Sequence, residues 1–326
     1  MTDATSRSRL LDENTREWLR KRLSKRYRRL RGKFARRLAH HLPTVSQKLH
    51  AARYRAIERR IVGLPDRPRP ILPDFIIIGA PKCGTSWLRD VLDQHPEVIS
   101  VRGEIEYFSS HSFYPVEWYS EQFARRLASV KKVRSMTSCA LGEKSAHYCS
   151  LPLEQIKRIR DLLPDVRLIL MTRDPVERHW AHTKRYFSKR QLSDPETVVL
   201  RLPRSTLLKF FEHQRPVGEF SKIIANWRSV FPAEQLLVVS QEKTLEAPEA
   251  SYKAVLKHIG VSTDYDAADI SMLMEKKNQG PKVDMPDDIA EILKSLFAAE
   301  RQWLWEFFDG RSFAYSPRLP VDTPLE

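Results

Sequence analysis

The chain has no long apolar run. Its longest purely apolar stretches are short, as at residues 75–78, far below the roughly 20 residues that cross a bilayer. The N-terminus carries no apolar segment of the signal-peptide kind. These two absences set the expectation of a protein made in the cytosol, cytoplasmic in location and at most peripheral at the inner face of a membrane. Cysteine is scarce. Cys83, Cys139 and Cys149 are odd in number and lack metal-ligand spacing, which argues against a disulfide framework and suits a reducing compartment. The ten histidines form no HExxH or similar cluster, so they read as scattered core and surface residues. No internal repeat is visible.

At 326 residues the chain holds one large domain or two small ones, and 41% hydrophobic residues suffice for a substantial core. The charge is unevenly placed. Residues 1–62 contain 19 Lys/Arg against 5 Asp/Glu, so +14 of the net +15 sits there. Leu11, Leu19, Leu23, Tyr27, Leu30, Phe34 and Leu38 recur at helical spacing with one longer gap, which predicts an amphipathic helix with arginines on the remaining faces. Such a helix suits an anionic membrane surface. Grip on an acidic polymer, packing on the folded domain and plain solvation stay open as alternatives; nucleic acid is not the expected partner. Pro43 ends this stretch, and a second helix is expected from about residue 45 to 62. "GLPDRPRPILP" (63–73) reads as a proline-rich linker, and residues 74–326 as the main domain.

Beyond the linker, apolar strands alternate with amphipathic helices. Strands are expected at 75–79, 98–101, 167–172 and 235–241. Helices are expected at 85–94, 115–127, 152–164, from Pro175 onward, and at 218–231, 248–260, 286–298 and 299–308. Pro175 at a first turn costs no hydrogen bond, and Gly260 suits a helix end. The alternation predicts an α/β fold, a parallel sheet with helices on both faces.

"DFIIIGAPKCGTSWLRDVL" (74–92) has the strand, glycine turn and helix of a phosphate-binding loop. Gly79 and Gly84 have the spacing of G-x-x-x-x-G-K-[ST], but Thr85 stands where lysine belongs and Lys82 comes three residues early. Loop N–H groups entering a helix bind anions, and glycine permits the close approach. Magnesium-dependent phosphate loops also need an acid at the end of another strand. Here "LILMTRDP" puts Arg173 at that strand end, so the loop reads as holding an anionic nucleotide through cations rather than a metal. A bare glycine turn is the bland alternative.

These residues resemble a known family. "IIIGAPKCGTSWL" is similar to the 5′-phosphosulfate loop of sulfotransferases that use 3′-phosphoadenosine 5′-phosphosulfate (PAPS), and "TRDPVERHWAH" resembles their 3′-phosphate motif. "GEIEYF" (103–108) resembles the base-carrying segment of the glycosaminoglycan-type and bacterial branch. "GEKSAHY" (142–148) looks like that branch's "GEKTPSY" element. The likeness covers about residues 72–310. It implies a P-loop-like nucleotide-binding sulfotransferase fold behind the basic helical segment. The implied reaction is direct in-line transfer from PAPS to a hydroxyl of a carbohydrate or glycolipid.

By the same resemblance, Pro81, Lys82, Cys83, Gly84, Thr85 and Ser86 would hold the 5′-phosphosulfate, with Lys82 at the bridging oxygen where charge develops. Arg173 would take the 3′-phosphate. Glu104 matches the base, while Glu106 falls where many relatives carry a histidine; either carboxylate could serve, and both could be ordinary loop acids. Lys144 matches a substrate- or sulfate-facing lysine, against a plain salt bridge to Glu143 or another acid. Three departures stand out. Position 181 is alanine where relatives usually have serine. In "MEKKNQGPKVDMP" only Gly280 and Lys282 carry over to the nucleotide-closing loop. The lysine that often precedes the base is missing. Two other classes remain in play: a phosphate-loop kinase or NTPase, and a non-catalytic nucleotide binder with a basic arm.

Overall fold

Among the described residues, five short strands pair in parallel. The computed structural model describes residues 33, 36–59, 61, 70–130, 139–188, 198–264 and 283–308. In chain order the elements begin with α1 (Pro43–Glu58), β1 (Phe75–Gly79), α2 (Thr85–Leu92), β2 (Val98–Ser100), α3 (Val116–Ser129) and β3 (Ala140–Lys144). Next come α4 (Leu153–Leu162), β4 (Arg167–Thr172), α5 (Pro175–Ser188), α6 (Arg204–Gln214) and α7 (Phe220–Arg228). Then follow β5 (Leu236–Ser240), α8 (Gln241–Glu246), α9 (Pro248–Ile259), α10 (Asp287–Leu296) and α11 (Ala298–Phe307).

The sheet order is β2-β3-β1-β4-β5, all parallel. Every strand residue except Arg167 is buried, the pattern of a sheet covered on both faces. Gly142 lies opposite Phe75. A Cβ at Gly142 would sit 2.2 Å from the Phe75 ring, so only glycine lets β1 and β3 close with that ring between them. A second apolar cluster, including Trp180, Leu207, Phe211, Leu293 and Phe297, ties α5, α6 and α10 together.

The second helix of the basic segment is docked rather than solvated. α1 lies on α3: His50 Nδ1 is 3.1 Å from Glu121 Oε2, both side chains buried, and Gln47 donates to Glu117 at 3.0 Å. The Ile71 N–H donates to Tyr54 Oη at 3.2 Å, fastening the chain just before β1. α1 begins at Pro43 and ends at Glu58, four residues before the expected end. The first amphipathic stretch, Leu11 to Leu38, lies almost wholly outside the described residues.

Three elements escaped sequence reading: β3, α6 and the short α8, which occupies the gap between the expected strand at 235–241 and helix at 248–260. β3 ends in Glu143 and Lys144, both buried, and two ionisable residues hide an apolar strand signal. α6 lies in a stretch for which no element was expected; its buried Leu207, Phe210 and Phe211 follow a helical spacing.

Candidate functional site

The site forms where the C-terminal ends of β1, β3 and β4 meet, the end of an open parallel sheet at which ligands bind. β1 delivers the chain into the turn 80–84, which opens α2. Gly84 is the N-cap of α2 with φ 89°, a left-handed conformation that suits glycine. Lys82 also has positive φ, 73°. A left-handed non-glycine residue costs free energy and marks a backbone fixed by its surroundings. Gly79 is bounded by the turn after β3: a Cβ there would lie 2.5 Å from Ala146 O.

The six loop residues have different standing. Pro81 and Cys83 are buried, Lys82, Gly84 and Ser86 are half-buried, and Thr85 is buried. The Cys83 N–H is spent on Ala80 O at 3.3 Å, and burial pushes its thiol pKa far up, so the thiol is not a nucleophile.

Lys144 leaves the end of β3, where its backbone pairs with Ile77. Its ammonium is an ion-pair partner of the Glu104 carboxylate and lies 3.4 Å from Ser86 Oγ. The Lys144 side chain is 6% exposed and that of Glu104 30%. Three candidates from separate stretches of sequence thus meet at one point beside the α2 N-terminus. The acid paired with Lys144 is Glu104, not its neighbour Glu143.

Glu106 has φ 52°. Its N–H donates to Ser145 Oγ at 3.0 Å, and its carbonyl accepts from His111 N at 3.0 Å. Glu106 therefore shapes the loop through its backbone. Tyr107 and Phe108 are buried, as packing residues should be. Behind the loop stands Glu143, 1% exposed. Tyr119 Oη donates to one of its oxygens and Ser145 Oγ to the other at 2.9 Å. Burial raises its pKa to about 7 against these hydrogen bonds. Tyr119, Ser145 and Tyr148 were missed in the sequence because they act together only through the fold.

Arg173 follows β4. Its guanidinium donates to Lys82 O at 3.3 Å and pairs with Glu177 at 3.4 Å, so the two candidate cationic residues of the nucleotide site are directly tied. Asp174 is committed to structure: it accepts from Val176 N at 2.8 Å, and Arg301 Nε donates to it at 2.8 Å. Arg173 also walls a cavity of about 670 Å³ with Ser240, Lys243, Arg301 and Trp305. Ala181 lies on α5, eight residues on from Arg173 and three before Lys184, whose ammonium donates to Val283 O at 3.0 Å. Gly280 and Lys282 lie outside the described residues.

Comparison with known proteins follows the same outline. Residues 72–282 match the family model described as sulfotransferase domain. Heparan sulfate glucosamine 3-O-sulfotransferase 3B1 of Mus musculus is 28% identical over 209 residues, 60% of this chain and 51% of that protein. Membrane-associated sulfotransferase kil1 of Dictyostelium discoideum is 34% identical over 127 residues, 38% of this chain and 26% of that protein. The chain spans about half the length of the first curated relatives. A crystal structure of a sulfotransferase from Alicyclobacillus acidocaldarius has a TM-score of 0.52 at 24% identity, covering 73% of this chain and 96% of that one; it supports the fold.

The expected cytoplasmic location is corrected by these relatives, one named as membrane-associated and others for heparan sulfate. The expectation rested on missing apolar segments, and such an absence does not place a protein. Among the described residues no helix is long and apolar enough to cross a membrane.

Proposed function

Because the chain belongs to the sulfotransferase domain family, we propose that it transfers a sulfuryl group from PAPS to a carbohydrate hydroxyl, releasing adenosine 3′,5′-bisphosphate. The observation that carries this reading is the meeting of Glu104, Lys144 and Ser86 at the N-terminus of α2.

The residues present fit the donor. A helix N-terminus behind a glycine turn favours an anion. Arg173 and Lys82, joined by a hydrogen bond, bring a guanidinium and an ammonium-bearing residue to the same edge, as a twice-phosphorylated nucleotide requires. PAPS, when bound, supplies the activated sulfuryl group. In the proposed assignment Pro81, Cys83, Gly84 and Thr85 shape the loop, Ser86 adds a hydroxyl, and Lys82 meets the charge that develops on the leaving oxygen. Arg173 takes the 3′-phosphate, and Gly280 and Lys282 close the site.

On the acceptor side, Glu104 takes the proton of the attacking hydroxyl, and Lys144 holds that carboxylate beside the donor loop. Glu106 supports the loop. The relatives named for heparan sulfate glucosamine support a sugar hydroxyl, in a polysaccharide or a glycolipid, as the acceptor. No metal is assigned a role.

Residues 74–326 are proposed as the catalytic domain, with 63–73 as linker and 1–62 as a basic arm that meets an anionic membrane surface. Leu42, which caps α1, and Val45 and Leu49 on it are 53%, 50% and 39% exposed, and Lys48 and Arg53 of the same helix are exposed; apolar and basic side chains together suit such a surface.

The test uses purified full-length protein with radiolabelled PAPS and desulfated heparan sulfate. Labelled polysaccharide and adenosine 3′,5′-bisphosphate in equal amounts support the reading. Nucleotide binding without transfer to any carbohydrate offered contradicts it.

A further inference from the structure

The Glu104 loop is fastened from its buried side at two points. The Glu106 N–H donates to Ser145 Oγ at 3.0 Å and the Phe108 N–H donates to Tyr148 Oη at 3.2 Å. Both hydroxyls converge on Glu143. Ser145 Oγ donates to Glu143 Oε2 at 2.9 Å, Tyr119 Oη donates to Oε1, and the Tyr148 hydroxyl is a further side-chain partner. Around them the Tyr107 and Tyr119 rings stack at 4.5 Å, and Phe108 meets both Tyr119 and Tyr148 edge-on.

The polarity of this cluster is set by the carboxylate. Each hydroxyl has one proton and two lone pairs. Once ionised, at pH above about 7, the carboxylate only accepts, so it draws the protons of Ser145 and Tyr119 toward itself. Lone pairs of Ser145 and Tyr148 are then left to receive the backbone N–H groups of Glu106 and Phe108. An amide in the same place presents one acceptor and one donor. One hydroxyl would then lose its acceptor on residue 143 and have to re-orient its proton, disturbing the pairing around it.

We propose that Glu143 is a positioning residue of the reaction: through Ser145 and Tyr148 it fixes the backbone of residues 106–108 and so holds Glu104 against Lys144 and Ser86. The inference rests on the sulfuryl-transfer reading of that site. Glu143 is 1% exposed, and its work is done through the loop.

The experiment compares wild type with Glu143→Gln and Ser145→Ala. It measures steady-state transfer, the Kd for adenosine 3′,5′-bisphosphate, and hydrogen exchange in peptides covering 101–112 and 78–90. Expected is a fall in kcat of about 10–100-fold, since misplacement of a catalytic group by about 1 Å costs that much. The KM for PAPS and the nucleotide Kd should stay within about twofold, the pattern of a group acting on the chemical step alone. Exchange should accelerate in 101–112 and not in 78–90. A kcat within about twofold of wild type in both variants, or unchanged exchange in 101–112, overturns the inference. A wild-type protein that transfers no sulfuryl group overturns the functional reading and the catalytic role of Glu143 with it. The exchange data then tell the two failures apart, because they respond to the loop and not to turnover.

Discussion

The Lys144 ammonium, almost fully buried, pairs with Glu104 while standing 3.4 Å from Ser86 Oγ. One residue ends a strand, one lies in a loop, and one opens a helix. The pairing joins the proposed base to the donor loop, so its two members should be coupled in stability as well as in rate. Breaking a buried pair leaves an unpaired charge, which costs about 3–5 kcal/mol when burial is complete and less here, because Glu104 is partly exposed. Glu104→Gln should therefore lower Tm and cut kcat by about 10²–10⁴-fold. The double variant with Lys144→Met should recover Tm toward wild type and recover no activity. Thermal melts and turnover assays on the four proteins check this.

Arg173 should dominate the affinity for the 3′-phosphate. Arg173→Ala should weaken adenosine 3′,5′-bisphosphate binding by about 10–100-fold, the value of a charge-assisted contact. Restoring a hydroxyl with Ala181→Ser should tighten the same Kd by about 2–10-fold. Calorimetric titration reads both. No change in the serine variant would mean that position 181 does not face the nucleotide.

Much of the fold was legible because its signals are local. The strand at 167–172 and the helix start at Pro175 follow from apolar runs and a proline, and the structure places them at those residues. Lys82, Gly84 and Arg173 could be named as candidates because one loop and one strand end carry them in short motifs. What stayed hidden is what the sheet assembles. β3 has too few apolar residues at its end to read as a strand, since Glu143 and Lys144 are there for partners on α3 and the 101–114 loop. The Tyr119–Glu143–Ser145 cluster joins residues whose link no spacing reveals. The docking of α1 on α3 depends on His50 finding Glu121, which helical periodicity alone does not indicate.

Glu143 predicts a pH dependence with a definite sign. Its pKa rises on folding from 4.5 to about 7, chiefly by burial, with Tyr119, Tyr148 and Glu104 as its titratable neighbours. A raised carboxylate pKa contributes stability that is fully present below about 4.5 and lost as pH climbs through about 7. Glutamine has no such term. Relative to wild type, Glu143→Gln should gain roughly 3 kcal/mol of stability between acid and mildly alkaline conditions. Denaturant unfolding of both proteins across that range checks it. Greater stability at alkaline pH with lower kcat would separate a positioning role from a merely structural one.

The arm should divide at α1. Removal of residues 1–32 leaves the His50–Glu121 and Tyr54–Ile71 contacts in place and should leave Tm within a few degrees of wild type. Removal of residues 1–58 strips a buried face from α3 and should lower Tm by about 5–10 °C or cause aggregation. Equal melting of both truncations would contradict the docking of α1.

The most direct measurement follows a radiolabelled sulfuryl group from PAPS onto a carbohydrate acceptor, in the presence of a metal chelator, for wild type and Lys82→Ala. The account predicts transfer by wild type undiminished by the chelator. It also predicts that Lys82→Ala still binds adenosine 3′,5′-bisphosphate while its kcat is lower by about 10²–10³-fold, the scale of losing one charge-stabilising group. Transfer that stops with the chelator, or proceeds at the wild-type rate without the Lys82 ammonium, would contradict it.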